Sequence, residues 1–300
     1  MDQSSQETRF DFDAIGTRWR IVLHPKFDRP QKARLLYAIK ARIELFDKAY
    51  SRFREDSLVT KMSRETGVFE LPSDAEPMLS LYLELYRRTG GLVTPLVGNL
   101  LSDAGYDARY SLRQKKELEV PPSWDEALDY KQPLLTIKRP VLLDFGAAGK
   151  GYLVDLVARV LELNDIQEYY IDAGGDILHK SKRPIRVGLE DPINTKQVLG
   201  VCMLGTGAIA GSAHNRRAWQ NFTHIMNPKT LVSPTDIAAI WVTAETAMLA
   251  DALATCLFFV PPHTLAPAYD FEYLIVRSDR SFERSAGFPG EIFTQSSALE

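Results

Sequence analysis

The sequence is short of cysteine, of long apolar runs and of charge imbalance, and each shortage removes a class of protein. Only Cys202 and Cys256 are present. Both sit in apolar runs, "GVCML" and "TCLFFV", where a thiol behaves as a small hydrophobe, so no disulfide is expected. No stretch of about 18 apolar residues occurs, and the start, "MDQSSQETRFDFDAIGTRWRIVL", lacks the basic flank and apolar core of a secretory leader. The chain reads as cytoplasmic and without a transmembrane segment; export of a longer precursor is left open. With 36 Lys and Arg against 39 Asp and Glu the formal net charge is -3, and the basic excess that nucleic-acid binding needs is missing. Among the histidines, His24, His179, His214 and His263 show no metal-ligand spacing, which argues against zinc. Neither a repeat with a period of about 20 to 50 residues nor a low-complexity tract appears.

What remains is an ordinary globular composition, 45% hydrophobic and 25% charged over 300 residues, enough for a large core in one domain or two closely packed lobes. Alternation in "WRIVLH" predicts a strand. "KARLLYAIKARIELFDKAYSRF" carries Leu35, Ile39, Ile43 and Phe46 at helical spacing. A second helix is expected in "AEPMLSLYLELYRRTGG", opening near Ser73 and closed by Gly90 and Gly91. "LVTPLVGNLLSDAGYDA" reads as loop, and the polar stretch from about Tyr110 to Pro140 as a surface excursion. From Val141 the order is strand, glycine turn, helix ("YLVDLVARVLELN"), then strands "EYYIDAGGDIL", "PIRVGLE" and more up to "AIWVTAET". A helix in "ETAMLADALATCLFFV" precedes a closing strand, "FEYLIVRS". Helices and strands mix without strict alternation, so the fold class is α+β with mixed sheets and packed helices.

Three stretches can carry chemistry. "VLLDFGAAGKGYLVD" places glycines and Lys150 between apolar segments, yet it is no mononucleotide phosphate loop. Gly149 and Lys150 are followed by Gly151 rather than a hydroxyl residue, and Asp144 stands where that motif needs its first glycine. Small residues there let backbone approach a ligand, and Lys150 adds a cation at a helix start that already favours anions. Gly174 and Gly175 in "IDAGGDI" fit a bend or bulge as well as a binding site.

Asp251 is surrounded by Leu249, Ala250, Ala252, Leu253, Ala254, Cys256 and Leu257, and a helix apolar all round is buried. Its carboxylate must be paired, protonated or on a metal. Thr255 lies four residues on, over the same helical face. An oxygen-only pair of this kind suits Mg²⁺; a backbone amide or an arginine would equally satisfy the carboxylate. In "FTHIMNPKT", strand alternation would put Phe222, His224 and Met226 on one face. Ser212, Arg216 and Arg217 in "GSAHNRR" could build a phosphate pocket beside that histidine.

"AIGTRWRIVL", "SRFREDSLVTKMS", "TGGLVTPLVGNL", "DFGAAGKGYLVD", "YYIDAGGDI", "GSAHNRR", "THIMNPKT" and "ADALATCLFFV" occur in this order, and together the chain resembles the ApbE-like flavin transferases, FAD:protein FMN transferases. The resemblance implies one ApbE-like domain over residues 8–294. It further implies FAD as substrate with Mg²⁺, attack by an acceptor protein's threonine hydroxyl on the FMN-side phosphorus, and release of AMP. Carried over by position, Asp251, Thr255 and the backbone carbonyl of Ala147 would hold the metal, Lys150 would lie near the diphosphate, and His224 would be the general base. Flavin and adenine contacts would fall on Ile15, Phe53, Leu92, Val93, Thr94, Asp155 and Ser212. The chain departs from the family pattern at Ile15, Ser63, Thr94, Gly211, Ala213 and Asn227, which removes polar contacts around the flavin. The same site would hydrolyse FAD to FMN and AMP with water in place of threonine, or bind flavin without turnover.

Overall fold

The structure, a computed structural model, describes residues 7–24 and 26–293. The chain opens with a hairpin, β1 (Thr8–Ala14) and β2 (Thr17–His24), then a long helix α1 (Arg29–Tyr50) and a short α2 (Leu58–Met62). Next come β3 (Gly67–Glu70), α3 (Glu76–Arg88), α4 (Gly98–Asp103), α5 (Trp124–Ala127), β4 (Leu128–Lys131) and β5 (Leu134–Ile137). Helix α6 (Gly149–Glu162) leads into β6 (Glu168–Ala173), β7 (Asp176–Lys180), β8 (Ile185–Glu190), β9 (Val198–Leu204) and β10 (Gly207–Ala213). The last elements are β11 (Ala218–Trp219), β12 (Phe222–Thr223), β13 (Ile237–Ala244), α7 (Ala247–Cys256), β14 (Glu272–Arg277), β15 (Phe282–Arg284) and β16 (Gly290–Ile292). An α+β architecture follows, as the sequence predicts.

Eight strands form one antiparallel sheet in the order β1-β2-β6-β7-β10-β13-β14-β15. Side chains alternate across a strand, and here both faces are covered. Leu178, Ala208, Ala210, Ile240 and Val242 point into the main core shared with α1, α6 and α7. Their neighbours Ile177, Ile209, Ala239 and Trp241 point the other way, onto the small sheet β16-β9-β8, with Cys202 and Leu204. Helix α1 begins with a capping box between Asp28 and Gln31 and buries Leu35, Ile39, Ile43 and Phe46, the stripe its spacing predicts.

Two helices meet unusually closely. A Cβ on Gly151 would stand 2.1 Å from the Ala247 carbonyl oxygen and 2.9 Å from Asp251 Cβ, so only glycine lets α6 approach α7 this far. The N-terminus of α7 is capped twice. Thr246 Oγ1 accepts from the Leu249 N–H at 3.2 Å, and the Asp155 carboxylate accepts from the Ala247 and Met248 N–H groups, both at 2.9 Å.

Several local expectations differ. Helix α3 starts at Glu76 after Ala75, which makes no side-chain cap, rather than near Ser73. Residues 92–108 are not merely loop: a 3-10 turn at Pro95–Val97 and α4 bury Leu96, Leu100 and Leu101. The polar stretch 110–140 runs over the surface without helix or strand up to residue 123, as expected, but residues 124–137 form α5, β4 and β5, anchored by the buried Trp124, Leu128, Leu135 and Ile137. Val141, Leu143 and Asp144 are buried but the segment joins no sheet, and the Asp144 N–H bonds the Pro95 carbonyl at 2.7 Å. Strand β14 is followed by β15 and β16 and does not close the chain. Strand β12 stops at Thr223, so His224 sits in a loop and the alternation drawn through Phe222, His224 and Met226 does not apply.

Candidate active site

A cavity of about 1100 Å³ opens where the β1–β2 turn, the segment after α1, the turn into α6, the end of β10 and α7 come together. That is slightly above the usual range for ligand pockets. Ile15 and Gly16 form the β1–β2 turn with φ of 46° and 73°, the left-handed pair a two-residue hairpin needs. A β-branched residue is strained there, and Ile15 lines the cavity. Phe53 lines the wall after α1, and Leu92, Val93 and Thr94 line it from the segment before α4. Ala147 and Lys150 come from the turn into α6, Ser212 from β10, His224 from the loop after β12, and Asp251 and Thr255 from α7. Of the departures from the family pattern, Gly211 and Ala213 also face the cavity.

Asp155 does not line it. Its carboxylate is engaged by the α7 backbone, a structural role that the sequence expectation of an adenine or flavin contact missed.

The floor holds an ionic cluster. Asp251, 3% exposed, accepts the Gly151 N–H through Oδ2 at 3.0 Å. The Lys150 ammonium donates to Asp176 and stands 3.8 Å from Asp251 Oδ1. Asp176 is itself 1% exposed. Burial raises the Asp251 carboxyl to about 7, with repulsion from Asp176 adding and Lys150 opposing. Asp176 is raised for the same reason, with Lys150 working against it. Burial pulls the Lys150 ammonium down, but the two carboxylates outweigh it and leave it raised. Two buried acids share one ammonium in contact, with Arg217 acting on both from farther off, so a proton or a second cation beside Asp251 would relieve the cost of burying them.

His224 stands close by. Its backbone N–H donates to the Arg217 carbonyl at 3.2 Å, and its Nδ1 is buried with no hydrogen-bond partner among the described residues. Burial, Arg217 and Lys150 push the imidazole down to about 3, only partly opposed by Asp144, so the ring is neutral at pH 7. Burial and two neighbouring cations thus make it a weaker base than a free imidazole, and added negative charge would strengthen it.

On the far wall, Arg52, 5% exposed, pairs with Asp144 and donates through Nη1 to the Tyr106 carbonyl at 2.7 Å. Its guanidinium lies 4.2 Å from the Phe53 ring centroid and 4.8 Å from that of Tyr106. Asp144 and Arg52 are 92 positions apart, and no local pattern joins them. Asp176 follows the paired glycines of "AGGDI", a faint local signal that a turn presents a carboxylate there.

By fold and site the protein falls in the class of α+β proteins with a deep, mixed-charge pocket beside an antiparallel sheet. It belongs to the ApbE family, whose sequence profile matches residues 15–270. It is 27% identical over 260 residues to a Haemophilus influenzae FAD:protein FMN transferase, covering 77% of this chain and 75% of that protein. A Vibrio cholerae FAD:protein FMN transferase is 23% identical over 314 residues, covering 95% and 92%. Among solved structures, the ApbE protein of Thermotoga maritima superposes with a TM-score of 0.79 at 23% identity, covering 94% of this chain and 97% of that one. The flavin transferase ApbE from Vibrio cholerae gives 0.77 at 22% identity, covering 93% and 96%. Among the described residues no helix is long and apolar enough to cross a membrane.

Proposed function

We propose that the protein is an Mg²⁺-dependent FAD:protein FMN transferase, which moves the FMN half of FAD to a threonine hydroxyl of an acceptor protein and releases AMP. The observation that carries this reading is the convergence of Asp251, Thr255, Ala147, Lys150 and His224 on one cavity. The names of the relatives, which share the family and most of the chain's length, support it.

The residues present fit a hard divalent cation. Asp251 and Thr255 offer oxygen donors one helical turn apart, the Ala147 carbonyl can add a third, and the buried cluster is short of positive charge. Asp251, Thr255 and Ala147 would hold the metal, which when bound neutralises diphosphate charge and polarises the phosphoryl oxygens. Lys150 holds Asp176 and braces Asp251. The turn into α6, open at Gly146 and Gly149, lets the diphosphate approach backbone. The threonine oxygen bonds to the FMN-side phosphorus as the bond from that phosphorus to the bridging oxygen breaks. AMP leaves with that oxygen, and the hydroxyl proton passes to the neutral imidazole of His224. The negative charge of the bound diphosphate, set against Arg217 and Lys150, raises that imidazole toward a useful basicity.

Incubation with FAD, Mg²⁺ and an acceptor protein tests the reading: covalently flavinylated acceptor and AMP should appear in equal amounts. FMN and AMP released equally without labelled protein would make the enzyme a hydrolase. Bound but unchanged FAD would make it a flavin carrier.

A further inference from the structure

Two polar groups on the aromatic wall have no role in the chemistry above. Arg52 Nη2 and Tyr106 Oη are both buried and have no hydrogen-bond partner among the described residues, and both residues line the cavity. A buried donor left unmade costs about 1–3 kcal/mol, and two on one wall are a standing penalty that a ligand's acceptors would relieve. Burial holds the Tyr106 phenol up at about 12, so it keeps its proton and stays a donor.

The surroundings narrow the ligand. The Arg52 guanidinium lies against the Phe53 and Tyr106 rings, and behind them Leu100, Leu101, Trp219 and Met226 make an apolar cluster. Such a wall suits a flat heteroaromatic ring, whereas a phosphate would be stripped of water against hydrocarbon. Tyr110 now occupies the approach. Its ring stacks on Phe53 at 5.4 Å and 11° and meets Tyr106 edge-on at 5.5 Å. Tyr110 is 52% exposed, with φ of 51° in the left-handed region that non-glycine residues rarely adopt, and beyond these ring contacts its outer face meets solvent.

We infer that Arg52 and Tyr106 form a polar edge that reads the carbonyl oxygens of the flavin ring, with Tyr110 standing over that place until the ring displaces it. The inference rests on the transferase reading and adds two specificity-determining residues to it. Neither contributes to phosphoryl transfer; they select a ring whose edge carries acceptors spaced for a guanidinium and a phenol.

The test measures affinities of wild type, Tyr106→Phe and Arg52→Lys for riboflavin, which has the ring without phosphate, FAD, which has both, and ADP, which has the diphosphate without the ring. Tyr106→Phe keeps the aromatic packing, and Arg52→Lys keeps a cation for Asp144; circular dichroism confirms that each is folded. The expected result is a Kd for riboflavin and FAD raised about three- to tenfold in each variant, with ADP unchanged. Weaker ADP binding with riboflavin unaffected, or no change for any ligand while wild type binds FAD, would overturn the inference. A wild type that binds ADP but neither flavin would instead fail the transferase reading, and this inference with it.

Discussion

Lys150 and Asp251 face each other across 3.8 Å at the cavity floor, while the same ammonium is already hydrogen-bonded to Asp176. One cation thus serves two buried acids, and the acid that lines the cavity is the one left partly unsatisfied. For Asp251→Asn we expect product formation to fall by more than about 100-fold and the dependence on Mg²⁺ to vanish. For Asp176→Asn, which frees Lys150 to pair with Asp251 in competition with the metal, a loss of about 10- to 100-fold in metal affinity is expected. Magnesium titrations of turnover, run on both variants, decide this: an unaltered curve for Asp251→Asn removes the metal assignment.

The His224 imidazole should respond to ligand. Arg217 and Lys150 help hold it at about 3, so a bound diphosphate, which offsets those cations, is expected to raise it measurably. Histidine NMR titrations with and without ADP would show the shift; an imidazole that titrates at the same pH in both states contradicts the placement of the diphosphate beside it.

The same depression sets a stability slope. Between about 6.5 and the native value, the unfolded chain binds a proton at His224 that the native protein does not. Stability is therefore full above about pH 6.5 and declines as pH falls from there toward about 3, by up to about 1.4 kcal/mol per pH unit from this group. Urea melts of wild type and His224→Gln at several pH values isolate the term, since the variant should decline less steeply while all other acid-sensitive groups are shared. Parallel curves would mean that the ring is charged in the native state.

Asp155 should behave as a helix cap. Asp155→Ala is expected to lower stability by about 0.5–2 kcal/mol, the usual cost of losing a cap, with FAD affinity changed far less than in Asp251→Asn. A large loss of FAD affinity in a fully stable Asp155→Ala protein would restore the direct ligand contact that the family resemblance implies.

The two thiols should be silent. Cys202 is fully buried and its thiol is pushed up to about 11 by desolvation; Cys256 is buried too and pushed higher still. Native protein at pH 8 is expected to react with neither equivalent of a thiol reagent and to react with both once unfolded in urea. A fast-reacting equivalent in the native state would place a thiol in an opening that the packing of β9 or α7 does not contain.

Much of this was legible in the chain. The burial of Asp251 could be read from the alanines and leucines around it, since a helix apolar on every side has no wet face to offer a carboxylate. The stripe of α1 was equally plain. What escaped has a common cause: it depends on contacts between distant segments. Arg52 and Asp144 meet only once the segment after α1 and the turn into α6 are folded together, and no periodicity announces it. Asp155 could pass for a ligand contact because its partners, the Ala247 and Met248 amides, lie on another helix. The stretch 110–140 read as surface, which holds for its first half; the second half is brought in by Trp124 and Leu128, whose partners lie in other segments. His224 kept its place on the cavity but not its strand, because β12 ends one residue earlier.

The glycine that lets α6 press against α7 has a second office. Gly151 gives its backbone N–H to Asp251 and leaves no side chain between the two helices, so the contact that compacts the protein and the contact that orients its buried acid are the same few atoms. Any side chain at that position would wedge the helices apart and swing the carboxylate off its anchor in a single movement. Fitness measured across all substitutions there should consequently show no variant that trades activity for robustness: folding yield and turnover ought to fail together, at one position, for one steric reason.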